Sequence, residues 1–404
     1  MEHPTKLLKN SKSKLLEGKK ILVGITSSIG AIESPKLIRE LIRHGSDIYV
    51  IGTEESKKII GEHALQFASG NPVKYEITGN VEHVMYYNEC DAFIIFPATA
   101  NTISKVSLNV ADNIINTTAL MFMENKPIFI IPAMHQNMLK SISNHVEILK
   151  KKKNIFIINP KLEENKVKVP PYTDIVKEVI NKIGNKLDRQ VLILSGGTYE
   201  YIDKVRVITN LSSGKTGYYL SEGFSKLNCN VSVVYGKCSK EPPYYVKSYS
   251  VGTSEEMLKK SMEIGKNCDI IISCAAISDY IPEKIYNGKI KSDNEELTIK
   301  LKRNKKIIQE LKNKFKDKLI VGFKAEYDLS EDKLIDICLK KLKSYKIDII
   351  VGNDLSKHYF GDDYNEVIVV FKSGSFKKLS GKKSEIMHNL SKIILNYYEN
   401  EFKE

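Results

Sequence analysis

The chain has 404 residues, of which 42% are hydrophobic and 27% charged, enough apolar material for two or three folded cores and ordinary for a globular protein. Lys and Arg outnumber Asp and Glu by 62 to 49, and the resulting +13 is spread along the chain, which suits anionic, phosphorylated substrates better than a nucleic-acid-binding tail. No apolar run reaches the ~18 residues of a membrane helix, the six cysteines form no CxxC pair, and the basic start lacks a signal-peptide core, so a cytoplasmic enzyme with neither membrane nor nucleic-acid partners is expected.

Residues 1–18 read as a basic extension. "KKILVG" then reads as a strand, "ITSSIGA" as a small-residue turn, and "SPKLIRELIRHG" as an amphipathic helix closed by Gly45. "DIYVIGT" is the next strand. "CDAFIIFPATA" and "KPIFIIPAM" are further apolar runs, and "NTISKVSLNVADNIINTTALMFM" between them reads as helix. "PAMHQNM" reads as a tight turn after a buried strand, and His83 as a residue on a loop. Strands alternating with helices predict a parallel sheet covered on both faces.

The second half repeats this order. "RQVLILSGGTYE" is a strand and glycine turn, "SGKTGYYLSEGFSKLNC" a helix, and "NVSVVYG", "CDIIISCAAISDY", "KLIVGFKAE" and "IDIIVGND" are further strands and their turns. The seam is read in "VINKIGNKLDRQ", giving domains 1–188 and 189–404. The fold class is α/β, with two Rossmann-like three-layer domains. Ligands of such sheets sit outside the carboxyl ends of the strands, where every small-residue turn lies.

"ITSSIGA" and "PATANT" each offer backbone N–H groups and hydroxyls at a helix start, which suits an anion. Either motif by itself is more often a tight turn alone. His83 is a surface histidine or a base, since an imidazole titrates near neutral pH. The order of these motifs, from "ITSSIGA" through "EH", "FPATANTISKVSLNVADN" and "PAMHQNM", resembles the homo-oligomeric flavin-containing cysteine decarboxylases across residues 20–180. The resemblance implies a flavodoxin-like decarboxylase domain. It implies FMN held by Ser27, Ser28, Thr53, Thr99, Asn101 and Thr102, and His83 as the catalytic histidine. The flavin supplies the electron sink that carbon dioxide loss requires, by oxidising the substrate thiol to a thioaldehyde.

This chain departs from the family pattern twice. His135 stands where the family has the asparagine that binds the substrate carboxylate, so His135, with Met138, is expected at that carboxylate. The stretch "KLEENKVKVPPYTDIV" stands where bacterial members carry a clamp cysteine, and it has none. Either another group donates the late proton or the clamp works differently. Cys90 lies at a strand start, which favours packing.

"GGTYEYIDKVRVITNLSSGKTG" is neither a Walker A loop nor a GxGxxG fingerprint, but its amides and Lys215 could cradle a phosphate or carboxylate. With "AAISDY", "GKIKS", "ELTIKLKRN", "VGFKAE" and "GNDLS", it resembles phosphopantothenate–cysteine ligase over residues 190–400. The whole chain is similar to the bifunctional enzymes of coenzyme A biosynthesis, in their archaeal form. The resemblance implies that phosphopantothenate is activated by CTP as an acyl-cytidylate, with Mg²⁺ and lysines clamping the phosphates, and that the amine of cysteine then displaces CMP. Carried over, Asn210 holds the acyl intermediate and Lys289 serves the second half-reaction. Ala275, Ala276, Asp279, Lys289, Phe323 and Lys341 meet the nucleotide. Lys284 is a nearby alternative, but Lys289 keeps the distance to "ELTIKL". Trimeric decarboxylase halves and dimeric ligase halves would together make a dodecamer. A dinucleotide-dependent oxidoreductase is the competing class, and the missing GxGxxG argues against it.

Overall fold

The structure is a computed structural model that describes residues 3–163, 166–187, 189–291, 296–358 and 361–402. The chain divides into two compact units, residues 1–186 and 187–404. Among the described residues no helix is long and apolar enough to cross a membrane.

The first unit is built on β1 (Lys20–Ile25), β2 (Asp47–Gly52), β3 (Val73–Lys74), β4 (Ala92–Ala98), β5 (Ile128–Pro132) and β6 (Ile155–Ile157), all parallel, in the order β3-β2-β1-β4-β5-β6. This is the doubly wound Rossmann order, with its switch point between β1 and β4. All seven residues of Ala92–Ala98 are buried, because helices cover both faces of a parallel sheet. On one face Phe93 and Ile95 pack with Ile103, Ile115 and Phe122. Truncating a buried phenylalanine such as Phe93 to alanine typically costs about 3–5 kcal/mol.

Three local expectations change. The long helix read from Asn101 to Met123 is two helices, Ala100–Ser107 and Ile114–Phe122. Asn113 starts the second by accepting the N–H groups of Ile115 and Asn116 at 3.0 Å each, so its capping oxygen outweighs the continuous apolar pattern. His83 lies on the helix Glu82–Glu89 rather than on a loop. The basic start is also not a solvated extension throughout. Leu16 is fully buried, and Lys12 pairs with the buried Glu40 at 2.5 Å.

The second unit is built on β7 (Arg189–Ser195), β8 (Cys229–Tyr235), β9 (Lys247–Ser250), β10 (Ile270–Ser273), β11 (Leu319–Glu326), β12 (Ile349–Asp354), β13 (Tyr364–Phe371) and β14 (Phe376–Lys382). Their order is β9-β8-β7-β10-β11-β12-β13-β14. The sheet is parallel through β12, and β13 and β14 add an antiparallel edge. Helix Lys215–Lys226 packs against helix Lys383–Tyr397. Met257, Ile307, Leu311, Leu334 and Cys338, from the other three helices, share one core. Right-handed crossovers running in opposite directions from β7 put these two helical layers on opposite faces.

Candidate active sites

In the first unit the turns after β1, β2, β4 and β5 are tied to one another. Thr26 Oγ1 donates to the Pro97 carbonyl at 2.6 Å and accepts the Thr99 N–H at 3.3 Å. The Thr53 N–H donates to Ile25 and the Ala133 N–H to Ala98, both at 3.0 Å. Ser28 Oγ donates to the Ala133 carbonyl at 3.4 Å. Thr99 is the N-cap of helix Ala100–Ser107, and its Oγ1 lies 3.1 Å from that of the buried Thr102. Ser27 and Asn101 are exposed at the same edge. The structure thus gathers the turns that carry all six predicted flavin contacts.

These turns fit a polar ligand on a physical ground. Among the described residues, Thr53 Oγ1 and Tyr75 Oη are buried without a hydrogen-bond partner. Each orphaned hydroxyl costs about 1–3 kcal/mol unless a bound molecule satisfies it. Tyr75 follows β3, packs against Gly52, and has its phenol pushed up to about 12 by burial, with Glu62 and Glu54 nearby. No sequence motif marked it. His83 is half-buried, and its Nδ1 is likewise inaccessible and unpartnered.

"PAMHQNM" is not a plain turn. Met134–His135 is a short strand, and His135 caps helix Gln136–Ser141, its Nδ1 accepting the Asn137 N–H at 3.2 Å. The strand pairs antiparallel with Lys166–Lys168, the outgoing arm of the hairpin formed by the cysteine-free clamp stretch. A Cβ on Gly30 would lie 3.0 Å from Val169 Cγ1, so the chain after that arm returns close over the first turn. His135 and Met138 are exposed. Cys90 is buried beside the sheet with its thiol pushed up to about 12 by burial, and it packs rather than reacts.

The second unit holds a cavity of about 700 Å³ at the carboxyl edge of its sheet. Asn210, Ala275, Ala276, Asp279, Phe323 and Lys341 line it, while Lys289 and Lys215 stand outside the lining. Lys215 Nζ donates to the Gly361 carbonyl and to Asp363 at 2.7 Å. Asn210 Nδ2 donates to the Ile277 carbonyl at 3.1 Å, which ties "NLSSG" to "AAIS". Gly214, at φ +77, is the N-cap of helix Lys215–Lys226. A Cβ there would meet the Lys240 carbonyl at 2.5 Å, so both conformation and space require glycine. Asp279 pairs with Lys306, a lining lysine that the motifs did not mark.

Lys289 is exposed on a loop anchored by Asp203. The fully buried Asp203 carboxylate accepts the N–H groups of Ile290, Val205 and Arg206 at 3.0, 2.7 and 2.6 Å, and Arg206 Nη1 at 2.7 Å. Arg206 also donates to the Ile290 carbonyl at 3.1 Å. These donors, led by the Ile290 N–H, hold the Asp203 carboxyl well below the usual carboxylate range. A lowered folded-state pKa gives stability that is present above the unfolded value, about 4, and is lost as pH falls from there toward the folded value. Asp203→Asn is therefore expected to lower the urea midpoint at neutral pH and to flatten its decline below about pH 4. Unfolding curves across that range check this. An unchanged neutral midpoint would show that the anchor is dispensable. The last residue of "GKIKS", Ser292, lies outside the described residues.

Among the described residues no group of three or more His, Cys, Asp or Glu side chains could hold a metal ion. The described residues thus offer no protein-only cage for Mg²⁺.

The structure defines a two-unit α/β protein with a candidate site at the carboxyl edge of each sheet. The Flavoprotein family model matches residues 9–184, and the model for the C-terminal domain of DNA/pantothenate metabolism flavoproteins matches residues 187–398. The coenzyme A biosynthesis bifunctional protein CoaBC of Methanocaldococcus jannaschii is 58% identical over 391 residues, 96% of each chain. That of Thermococcus kodakarensis is 38% identical over 400 residues, covering 96% of this chain and 98% of its own. A solved C-terminal domain of a CoaBC protein is 28% identical, with a TM-score of 0.45, covering 53% of this chain and 98% of that one. The chain belongs to the family of coenzyme A biosynthesis bifunctional proteins, and it is a flavoprotein. That membership overturns the oxidoreductase alternative.

Proposed function

We propose that the chain, acting in the cytoplasm, turns 4′-phosphopantothenate, cysteine and CTP into 4′-phosphopantetheine. The unit read as residues 189–404 joins the acid to cysteine, and the unit read as 1–188 removes carbon dioxide from phosphopantothenoylcysteine. The observation that carries this reading is the convergence of Asn210, Ala275, Ala276, Asp279, Phe323 and Lys341, from separate stretches of sequence, on one cavity.

A carboxylate is a poor acylating agent and must first gain a leaving group. Its oxygen attacks the α-phosphorus of CTP and pyrophosphate leaves. The cysteine amine then attacks the acyl carbon, CMP leaves, and one proton is released. Asp279, Phe323 and Lys341 position the nucleotide. Asn210 holds the acyl group. Lys289 reaches the second half-reaction from the loop that Asp203 anchors. Mg²⁺ is read as travelling with the triphosphate, and no step of the protein's own residues depends on it.

In the first unit, Ser27, Ser28, Thr53, Thr99, Asn101 and Thr102 would hold FMN, which supplies a two-electron sink for decarboxylation when bound. His83 exchanges the proton at the reacting centre. His135, with one ring nitrogen committed to its helix cap, binds the substrate carboxylate through the other, and Met138 lines that end. Ile29 and Ile32, 74% and 53% exposed beside the first turn, support a subunit contact there and hence a homo-oligomer. Trimeric first units and dimeric second units would close as a dodecamer.

The test supplies phosphopantothenate, cysteine and each nucleoside triphosphate in turn to the flavin-loaded protein, with products read by mass spectrometry. Phosphopantetheine is expected, most with CTP. Failure to form phosphopantothenoylcysteine with any nucleotide would overturn the reading.

A further inference from the structure

Lys383 opens helix Lys383–Tyr397 and lines the cavity of the second unit, yet it is only 6% exposed. Its backbone N–H donates to the Asp363 carbonyl at 2.7 Å. Among the described residues its ammonium has no hydrogen bond and no ion pair. Asp362 and Asp363 favour its charge from a distance, but the Asp363 carboxylate is already bonded to Lys215. Burial first, and the neighbouring Lys215 second, depress its pKa. The side chain as a whole is packed away, while its cationic end stands in the cavity wall with no protein partner among the described residues, which leaves it available to an anion entering the cavity.

The surroundings say what binds. Ser212, Ser213, Gly214 and Thr216, at the start of helix Lys215–Lys226, line the same cavity. That helix runs twelve residues, so its first N–H groups carry a positive partial charge toward the cavity. Lys215, the cation that the motif itself suggests, is occupied by Gly361 and Asp363. At the other end of the cavity Lys306 is taken by Asp279. Lys383 is left as a lining cation with no protein partner among the described residues beside that helix start.

We propose that Lys383 binds a phosphate group of a ligase substrate, together with the N-terminus of helix Lys215–Lys226. This rests on the ligase reading of the cavity. Two sources share this chemistry, the triphosphate of the nucleotide and the monophosphate of the acid. A charge-assisted bond of this kind corresponds to roughly tenfold to hundredfold in apparent affinity.

The experiment measures amide formation by the full chain, wild type, Lys383→Met and Lys383→Arg, varying CTP and phosphopantothenate separately. The methionine variant is expected to raise one KM roughly tenfold to hundredfold, and arginine to recover part of the loss. A rise confined to CTP assigns the triphosphate, and one confined to phosphopantothenate assigns the monophosphate. Both KM values unchanged, with a wild-type melting temperature, overturn the proposal. Should the methionine variant not fold, protection of Lys383 in the wild-type protein from reductive methylation is read by peptide mass spectrometry. No protection by either inorganic phosphate or inorganic triphosphate also overturns it. A wild-type protein that forms no amide refutes the ligase reading instead.

Discussion

His83→Asn is expected to leave the flavin bound and to stop carbon dioxide release from phosphopantothenoylcysteine. General acid–base catalysis by a positioned side chain is worth roughly 10²–10⁴ in rate, and asparagine cannot exchange a proton near neutral pH. The substitution is small enough to fold. His83 is half-buried on a short helix, and among the described residues its Nδ1 makes no hydrogen bond that the change would break. The helix is held instead by its neighbours. Glu82 accepts the Thr78 N–H at 2.7 Å and the Thr78 hydroxyl at 2.6 Å, and Tyr86 is buried in the core. The turns proposed to hold the flavin lie on other segments, so the visible absorbance of the purified variant should match that of wild type. Carbon dioxide release and the mass of the product check the chemistry. Wild-type turnover by the variant would remove His83 from the proton-transfer role. Loss of the yellow colour would instead make it a flavin-binding residue.

Much of this arrangement was legible in the sequence, because strands buried on both faces leave continuous apolar runs and the turns after them collect small polar residues. "FIIFPATA" and "VLILSGG" declare both a strand and the turn at which a candidate site lies. The pattern misled where a single side chain decides the backbone. Asn113 interrupts a helix that the apolar spacing continues, and His135 turns an apparent loop into a capped helix. It was silent where function depends on contacts distant in sequence. Asp203 reads as an ordinary loop acid until the fold brings Ile290 to it. Tyr75 has no motif, and its orphaned hydroxyl is visible only once β3 is placed beside β2. Lys383 looks like one more surface lysine in "SGKKSE". Only the fold packs most of its side chain away and sets it in the wall of a cavity 173 positions from Asn210, counting 383 − 210.

Lys289→Gln is expected to let acyl-cytidylate accumulate while phosphopantothenoylcysteine fails to form. The two half-reactions make different demands on charge. Activation brings a carboxylate to a triphosphate, and the cavity already holds other lining lysines for that step, Lys305 and Lys341 among them. Lys289 stands outside that lining on an exposed loop, so its removal leaves the cavity wall intact. Attack by the amine instead develops negative charge on the acyl oxygen and on the departing CMP, where an ammonium arriving from the loop can stabilise it. Losing one such donor costs roughly 10²–10³ in rate. Glutamine keeps the length and hydrogen-bonding capacity of the side chain but not the charge, so it isolates the electrostatic contribution. The anchoring of the loop is untouched, since Ile290 bonds to Asp203 through its backbone. Quenched reactions with labelled phosphopantothenate separate the outcomes. An acyl-cytidylate peak without amide supports the division of labour, and pyrophosphate release should continue only to about one equivalent per site. Normal amide yield would remove Lys289 from the second half-reaction, and absence of both acyl-cytidylate and pyrophosphate would move it to the first.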